Sequence, residues 1–158
     1  MTDGNVRLSF ENGADRLETE IMEQMRRVYS ETAIDYAMNP RNMGKIEKAD
    51  GRASITGPCG DTMEIFINVR DEIITDAMFR TDGCGTSIAS GGMVTELAKG
   101  KPVQHAYRIS QQDILKALGG LPEDDEHCAL LAANTMRLAV HDYLNSRSQP
   151  WKRMYRTY

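Results

Sequence analysis

The chain has 158 residues, of which 41% are hydrophobic and 27% charged, so we expect one globular domain with its own buried core. The formal net charge of −4 and the sequence pI near 5.4 argue against a dedicated nucleic-acid-binding protein, which usually has a strongly basic face. The polar N-terminus lacks a secretory signal pattern and no apolar run could cross a bilayer, which predicts a cytoplasmic protein with no membrane partner.

The first part of the chain is predicted to be an arm followed by a helix. Residues 1–18 are polar and predict a flexible N-terminal arm. Apolar side chains at steps of three and four then favour a helix over residues 17–38. Pro40 disfavours helical geometry at Asn39, so this helix is expected to end near Met38.

Three strands are predicted next. Residues 52–56, 63–69 and 73–81 are short segments with β-branched and aromatic side chains and a half-buried pattern. The sequence "RDE" at 70–72 predicts a polar hairpin turn. Connections this short favour an antiparallel meander over crossover units.

The remainder of the chain is predicted to be helical. Residues 86–99 form a helix that ends before Gly100, and residues 111–118 form another with Ser110 as its N-cap. Residues 126–146 form the last helix, with an apolar stripe on one face.

The order of these elements predicts the fold class. Strands followed by helices favour an α+β domain, which we expect to occupy residues 19–146. Residues 147–158 form a basic, aromatic tail, expected either to be flexible, to fold back on the domain, or to contact an acidic partner.

Three cysteines lie on three different segments. Cys59 is in the turn between the first two strands, Cys84 is in the loop before the helix at 86–99, and Cys128 is in the first turn of the last helix. An odd number of cysteines in a cytoplasmic chain argues against a disulfide framework. Because helix N-termini carry partial positive charge, we expect lowered pKa values for the Cys84 and Cys128 thiols.

A carboxylate and an imidazole accompany these cysteines. Asp61 follows Cys59 by two residues, and His127 directly precedes Cys128. If the segments meet, their side chains suit zinc or an iron–sulfur cluster better than magnesium or calcium. Stable clusters usually have four thiolate ligands, so a fourth ligand from Asp61 or His127 predicts an exchangeable cluster and a protein that passes clusters on. The alternatives are buried structural cysteines, a turn cap at Asp61, and a proton shuttle or helix cap at His127.

Five segments together resemble the NifU/IscU-type iron–sulfur cluster assembly scaffold, and the similarity covers roughly residues 30–145. They are "NPRNMG" at 39–44, "GPCGD" at 57–61, "TDGCGTSIAS" at 81–90, "VTELAKGK" at 94–101 and "EHCALLAANT" at 126–135. The resemblance implies the SufE/NifU-like fold, a three-stranded antiparallel sheet packed against helices. It also implies a scaffold rather than an enzyme.

The resemblance further implies the site residues and the partners. The cluster ligands of the family match Cys59, Cys84 and Cys128, with Asp61 and His127 as accompanying residues. The cargo is expected to be iron in a 2Fe–2S cluster, with later conversion to 4Fe–4S left open. A cysteine desulfurase is the expected sulfur donor, and apo-proteins are the expected recipients. In this interpretation Asp61 keeps the cluster labile, and Cys128 is the preferred of three candidates for the first sulfur acceptor.

Two features distinguish this chain within the superfamily. Common bacterial members carry Leu-Pro-Pro-Val-Lys before the His-Cys pair, which an Hsp70-type chaperone recognises; residues 121–125 here read Leu-Pro-Glu-Asp-Asp, which weighs against that partner. The segment between Cys84 and Cys128 is too short for the insertion of the zinc-containing, sulfur-accepting branch, which favours the scaffold branch. The alternative is a zinc-binding sulfur acceptor with sulfurtransferase activity, and zinc is expected to occupy the same ligands in the protein as isolated.

Overall fold

The structure is a computed structural model that describes residues 3–155, with the side chains of residues 13–152, 154 and 155. The helices are α1 Asp3–Val28, α2 Glu31–Met38, α3 Gly85–Ala98, α4 Val103–Arg108, α5 Gln111–Leu118 and α6 Glu126–Ser148. The strands are β1 Gly51–Thr56, β2 Thr62–Arg70 and β3 Ile73–Thr81. Two 3-10 helices, Glu123–Asp125 and Pro150–Tyr155, lie before and after α6.

The strands form an antiparallel sheet in the order β1-β2-β3, as the sequence predicts. The predicted hairpin turn between β2 and β3 consists of Asp71 and Glu72, with φ of 52° and 65°. Two-residue hairpins of this kind need positive φ at both positions, which aspartate tolerates better than most side chains do.

One face of the sheet supplies the centre of the core. Met63, Ile65 and Ile67 alternate along β2 and lie on the same face as Ala77 and Phe79 of β3, all fully buried. Helices α3 and α6 pack against this sheet and against each other. The predicted α+β fold with a three-stranded antiparallel sheet against helices is therefore confirmed.

Helix α3 approaches the sheet closely at one glycine. A Cβ atom on Gly91 would lie 2.4 Å from a ring carbon of Phe79, far inside van der Waals contact. The absence of a side chain at Gly91 therefore lets the ring of Phe79 pack directly on the backbone of α3.

A loop segment pairs with the outer edge of β3. The N–H of Gly44 donates to the carbonyl of Phe79 at 2.8 Å, and the N–H of Phe79 donates to the carbonyl of Asn42 at 2.9 Å. Asn42 adopts a φ of 61° to make this pairing. Residues 42–44, part of the "NPRNMG" segment, therefore cover β3 at Phe79, near its C-terminal end.

The N-terminal prediction differs from the structure. Residues 3–18, predicted to be a flexible arm, are the first part of helix α1, and the single helix predicted over 17–38 is two helices. The helix is interrupted at Ser30, whose backbone is extended. The Ser30 side chain caps α2 by accepting a hydrogen bond from the N–H of Ala33 at 3.0 Å. The break was missed because the apolar spacing continues across it.

Smaller differences follow in the C-terminal half. Helix α4 was not predicted, since its six residues are too few to show a periodic pattern. The helix over 111–118 and its Ser110 cap are confirmed, with a full capping box to Asp113. Within the predicted tail, Pro150–Tyr155 forms a 3-10 helix, whereas residues 1, 2 and 156–158 lie outside the described residues. Between residues 3 and 155, no helix has both the length and the apolar character to span a membrane.

Candidate functional site

The three segments that carry cysteines meet at one end of the sheet. Thr56 pairs with Thr62 and Met63 pairs with Thr81, so the β1–β2 loop and the C-terminal end of β3 lie at the same end of the sheet. The first turns of α6 also lie at this end of the sheet, as the Leu131 side chain shows: it lies 3.6 Å from where a Cβ atom of Gly57 would be. The fold therefore brings distant parts of the sequence together here.

One hydroxyl links two of the thiols. Cys84 is the N-cap of α3, and its Sγ lies 3.0 Å from Oγ1 of Thr86. The same Thr86 Oγ1 lies 3.4 Å from Sγ of Cys128. Nε2 of His127 lies 3.6 Å from the Cys128 sulfur.

A second hydroxyl links the carboxylate to this pair. The Ser87 hydroxyl lies 3.2 Å from Oδ2 of Asp61 and 3.4 Å from Sγ of Cys128. Sequence reasoning missed the roles of Thr86 and Ser87. The available signal was two adjacent hydroxyl residues in the first turn of the helix that Cys84 caps.

Cys59 lies outside this network. It is exposed in the β1–β2 loop, the loop that also carries Asp61, and no hydrogen bond within the described part of the chain reaches its sulfur. Among the described residues, no three side chains of the cysteine, histidine, aspartate and glutamate types are arranged to hold one metal ion. The structure thus connects Asp61, Cys84, His127 and Cys128. The role of these four residues and of Cys59 as ligands stays a prediction.

The Cys84 thiol is the more acidic of the linked pair. Burial raises its pKa, but the Thr86 hydroxyl, the backbone amides of Ser87 and Thr86 and the Ser87 hydroxyl outweigh burial by favouring the thiolate. The net pKa lies below the ordinary value of 9.0, which is the direction predicted for a thiol at a helix N-terminus.

The prediction for Cys128 was wrong in direction. This side chain is only 1% exposed, and burial raises its pKa above 9.0 even though the Ser87 and Thr86 hydroxyls oppose the shift. The negative charges of Cys84 and Asp125 raise it further. The helix N-terminus alone could not predict this, because the packing of α6 determines the burial.

A tyrosine covers the site on the side of α1. The Tyr29 hydroxyl donates a 2.9 Å hydrogen bond to Oδ2 of Asp125, which together with burial raises the pKa of Tyr29. Between α1, α2 and α3 lies a cavity of about 200 Å³ that Cys84 and Tyr29 both line. Its walls are mainly apolar and include Met25 and Ile34. Cys84 therefore contacts the polar network on one side and an apolar cavity on the other.

Comparison with known proteins gives this arrangement a family. A family model for the NifU-like N-terminal domain matches residues 28–150. The iron–sulfur cluster assembly scaffold protein IscU 1 of Archaeoglobus fulgidus is 45% identical over 123 residues, which cover 77% of this chain and 80% of that protein. The iron–sulfur cluster assembly scaffold protein IscU of Escherichia coli is 44% identical over 124 residues, covering 75% of this chain and 96% of its own.

A solved structure has the same fold. The N-terminal part of a nitrogen-fixing NifU-like protein from Brucella abortus superposes with a TM-score of 0.59 at 19% identity, over 75% of this chain and 95% of that chain. The family match over most of the sequence and the 45% identity to a relative show that the chain belongs to the NifU-like N-terminal domain family of iron–sulfur cluster assembly scaffolds.

Proposed function

We propose that this protein is a scaffold on which an iron–sulfur cluster is assembled and from which it passes to apo-proteins. The observation that carries the proposal is the link, at one end of the sheet, of Cys84, Cys128 and Asp61 through the Thr86 and Ser87 hydroxyls. The similarity to proteins named as cluster assembly scaffolds supports it. The cluster is the cargo, and 2Fe–2S is the form we propose.

Each site residue has a proposed role. Cys59, Cys84 and Cys128 hold iron or take sulfur as a persulfide from a cysteine desulfurase. Asp61 supplies an oxygen ligand, a weaker partner for cluster iron than a fourth thiolate, which keeps the cargo exchangeable. His127 either binds metal or moves a proton at Cys128. Cys59 is exposed in the loop that also carries Asp61, so its thiol is open to incoming iron.

Some parts of the proposal concern partners and setting. We propose a cytoplasmic location and no dedicated Hsp70-type chaperone, because the segment before His127 is acidic where the chaperone motif has lysine. The second candidate function is a zinc-binding sulfur acceptor. It is favoured by the lowered pKa of the Cys84 thiol, which also suits a group that accepts sulfur.

Anaerobic reconstitution tests the proposed function. The wild-type chain, incubated with ferrous iron, cysteine, a thiol reductant and a cysteine desulfurase, is expected to gain the visible absorption of an iron–sulfur chromophore and matching amounts of iron and sulfide. Cys59→Ser, Cys84→Ser and Cys128→Ser are each expected to lose most of it, since each removes one of three thiolate ligands. Persulfide on the wild-type chain without iron-dependent absorption would favour the sulfur acceptor instead.

Asp61→Ala is expected to hold the assembled cluster longer. Without the exchangeable carboxylate, the half-time of transfer to a chelator or an apo-ferredoxin is expected to rise several-fold, as measured by loss of the scaffold's absorption. Asp124→Ala is the matched control, because Asp124 is an exposed carboxylate close to the site in sequence. Transfer from Asp61→Ala at the wild-type rate would remove Asp61 from the mechanism.

A further inference from the structure

Ser87 lies at the junction of the site, and the proposed function has so far assigned it no role. It is the third residue of α3 and is completely buried. Its hydroxyl lies within hydrogen-bond distance of both Asp61 and Cys128, at 3.2 and 3.4 Å. Since a serine hydroxyl carries a single proton, it can donate fully to only one of these two acceptors at a time.

The carboxylate of Asp61 depends on this serine for its position. Among the described residues, the Ser87 hydroxyl is the one group that donates a hydrogen bond to the Asp61 carboxylate. The loop that carries Asp61 is otherwise held by backbone bonds, such as that from the N–H of Gly57 to the carbonyl of Asp61 at 2.8 Å. Without Ser87 the carboxylate would have only water to hold it beside Cys128.

The backbone next to this pair is also shaped around it. A Cβ atom on Gly83 would lie 2.5 Å from the Ser87 Oγ and 2.8 Å from Oδ2 of Asp61. Any side chain at position 83 would therefore push the serine and the aspartate apart. The contact between Ser87 and Asp61 thus needs glycine at this point in the loop before α3.

We propose that Ser87 is a positioning residue of the assembly site, whose hydroxyl holds the Asp61 carboxylate beside Cys128 so that it reaches a metal bound there. This inference rests on the proposed function, because it assigns Ser87 a role only through Asp61. Groups that orient a ligand by hydrogen bonding typically change metal affinity by about 10-fold or more when they are removed.

Cluster release tests whether Ser87 acts through Asp61. Ser87→Ala is expected to lengthen the half-time of release several-fold, in the same direction as Asp61→Ala. The double variant is expected to match Asp61→Ala within about twofold, because non-additive effects identify residues that act as a unit. Release from Ser87→Ala at the wild-type rate, or a double variant slowed by the product of the two single effects, would overturn the inference.

Two further variants separate positioning from packing. Ser90→Ala is the matched control, because Ser90 is fully buried one turn further along α3 and its hydroxyl has no hydrogen-bond partner within the described structure. It is expected to release cluster at the wild-type rate. Gly83→Ala keeps both hydroxyl and carboxylate but forces them apart, so it is expected to slow release as Ser87→Ala does; wild-type release would contradict the proposal.

Zinc binding gives a readout that needs no cluster assembly. The dissociation constant of Zn²⁺, measured by competition with a chromophoric chelator, is expected to rise about 10-fold for Ser87→Ala. The double variant with Asp61→Ala is expected to bind no more weakly than Asp61→Ala alone. If the wild-type chain assembles no cluster, the scaffold function fails and the zinc measurements still decide the role of Ser87. Unchanged affinity in Ser87→Ala, or additive losses, would refute it.

Discussion

At the scale of single residues, the two linked thiols differ in exposure and in the direction of their pKa shift, although both lie at helix starts. Cys84 is exposed and its pKa is lowered by hydroxyl and amide donors, whereas Cys128 is buried and its pKa is raised. In the unloaded protein Cys84 is therefore the better nucleophile. The Cys128 side chain is 1% exposed, so its sulfur is almost inaccessible from solvent in this structure.

This difference predicts a pH dependence of stability. The folded chain keeps the Cys128 proton above pH 9 and the unfolded chain loses it there, so the free energy of unfolding falls as the pH rises from about 9 through the raised pKa. Between pH 8 and 10, urea denaturation should therefore show a smaller loss of stability in Cys128→Ala than in the wild-type chain. Cys59→Ala, which changes an exposed thiol, is the control and should follow the wild-type slope. Equal slopes for Cys128→Ala and wild type would contradict the raised pKa.

The sequence could place most of the site residues but not their states. Flanking glycines and helix starts singled out Cys59, Cys84 and Cys128, and Asp61 and His127 were added as their near neighbours in sequence. The structure links four of the five, all except Cys59. The direction of the Cys128 pKa depends on how deeply α6 packs. The importance of Thr86 and Ser87 depends on which side chains lie opposite α3. Neither can be predicted from residue spacing along the chain.

At the scale of elements, α3 is positioned by a contact that sequence patterns represent poorly. A glycine inside a helix lowers its stability by about 1 kcal/mol relative to alanine, so Gly91 alone argues against the helix. The structure supplies the reason, since the ring of Phe79 occupies the space where a side chain would be. The strands were easier to predict, because alternation along β2 and β3 directly reflects which side chains are buried.

Gly91→Ala is therefore expected to destabilise the protein. Its methyl group would overlap the Phe79 ring in the buried core, and overpacking of this kind typically costs about 1–3 kcal/mol of unfolding free energy. Gly13→Ala is the matched control, because Gly13 is an exposed helical glycine in α1, and among the described residues nothing outside its own helix backbone and chain neighbours lies within 4 Å of its added Cβ. That change should instead stabilise the helix by about 0.5–1 kcal/mol. Chemical denaturation measures both, and a neutral Gly91→Ala would show that Phe79 can repack.

At the scale of the whole molecule, α1 stands apart from the core that the sheet, α3 and α6 build. Three of its apolar side chains, Leu17, Ile21 and Val28, are each about half exposed or more, and Met22 and Met25 are only partly buried. None of its described side chains is fully buried. The part of α1 whose side chains are described, residues 13–28, therefore adds little to the core. The fold class was predictable because strand and helix patterns are separated along the chain.

Hydrogen exchange is expected to show this division. Amides of residues 13–28 have exposed helical hydrogen bonds and little tertiary packing, so they should exchange at least about 100-fold faster than those of β2 and the middle of α6. Mass spectrometry of peptides after timed exchange measures the difference. Protection of α1 equal to that of β2 would mean that α1 is covered in solution, either by this chain or by another copy.

The pairing of residues 42–44 with β3 affects what the protein can bind. An outer strand with free N–H and C=O groups can accept an extended peptide as an added strand. The backbone of Phe79, near the end of β3, is already paired with Asn42 and Gly44, and Ile73, the first residue of β3, is bridged to Pro102. An extended peptide therefore cannot pair with the backbone of β3 at Phe79 or Ile73 unless residues 42–44 or Pro102 first move away.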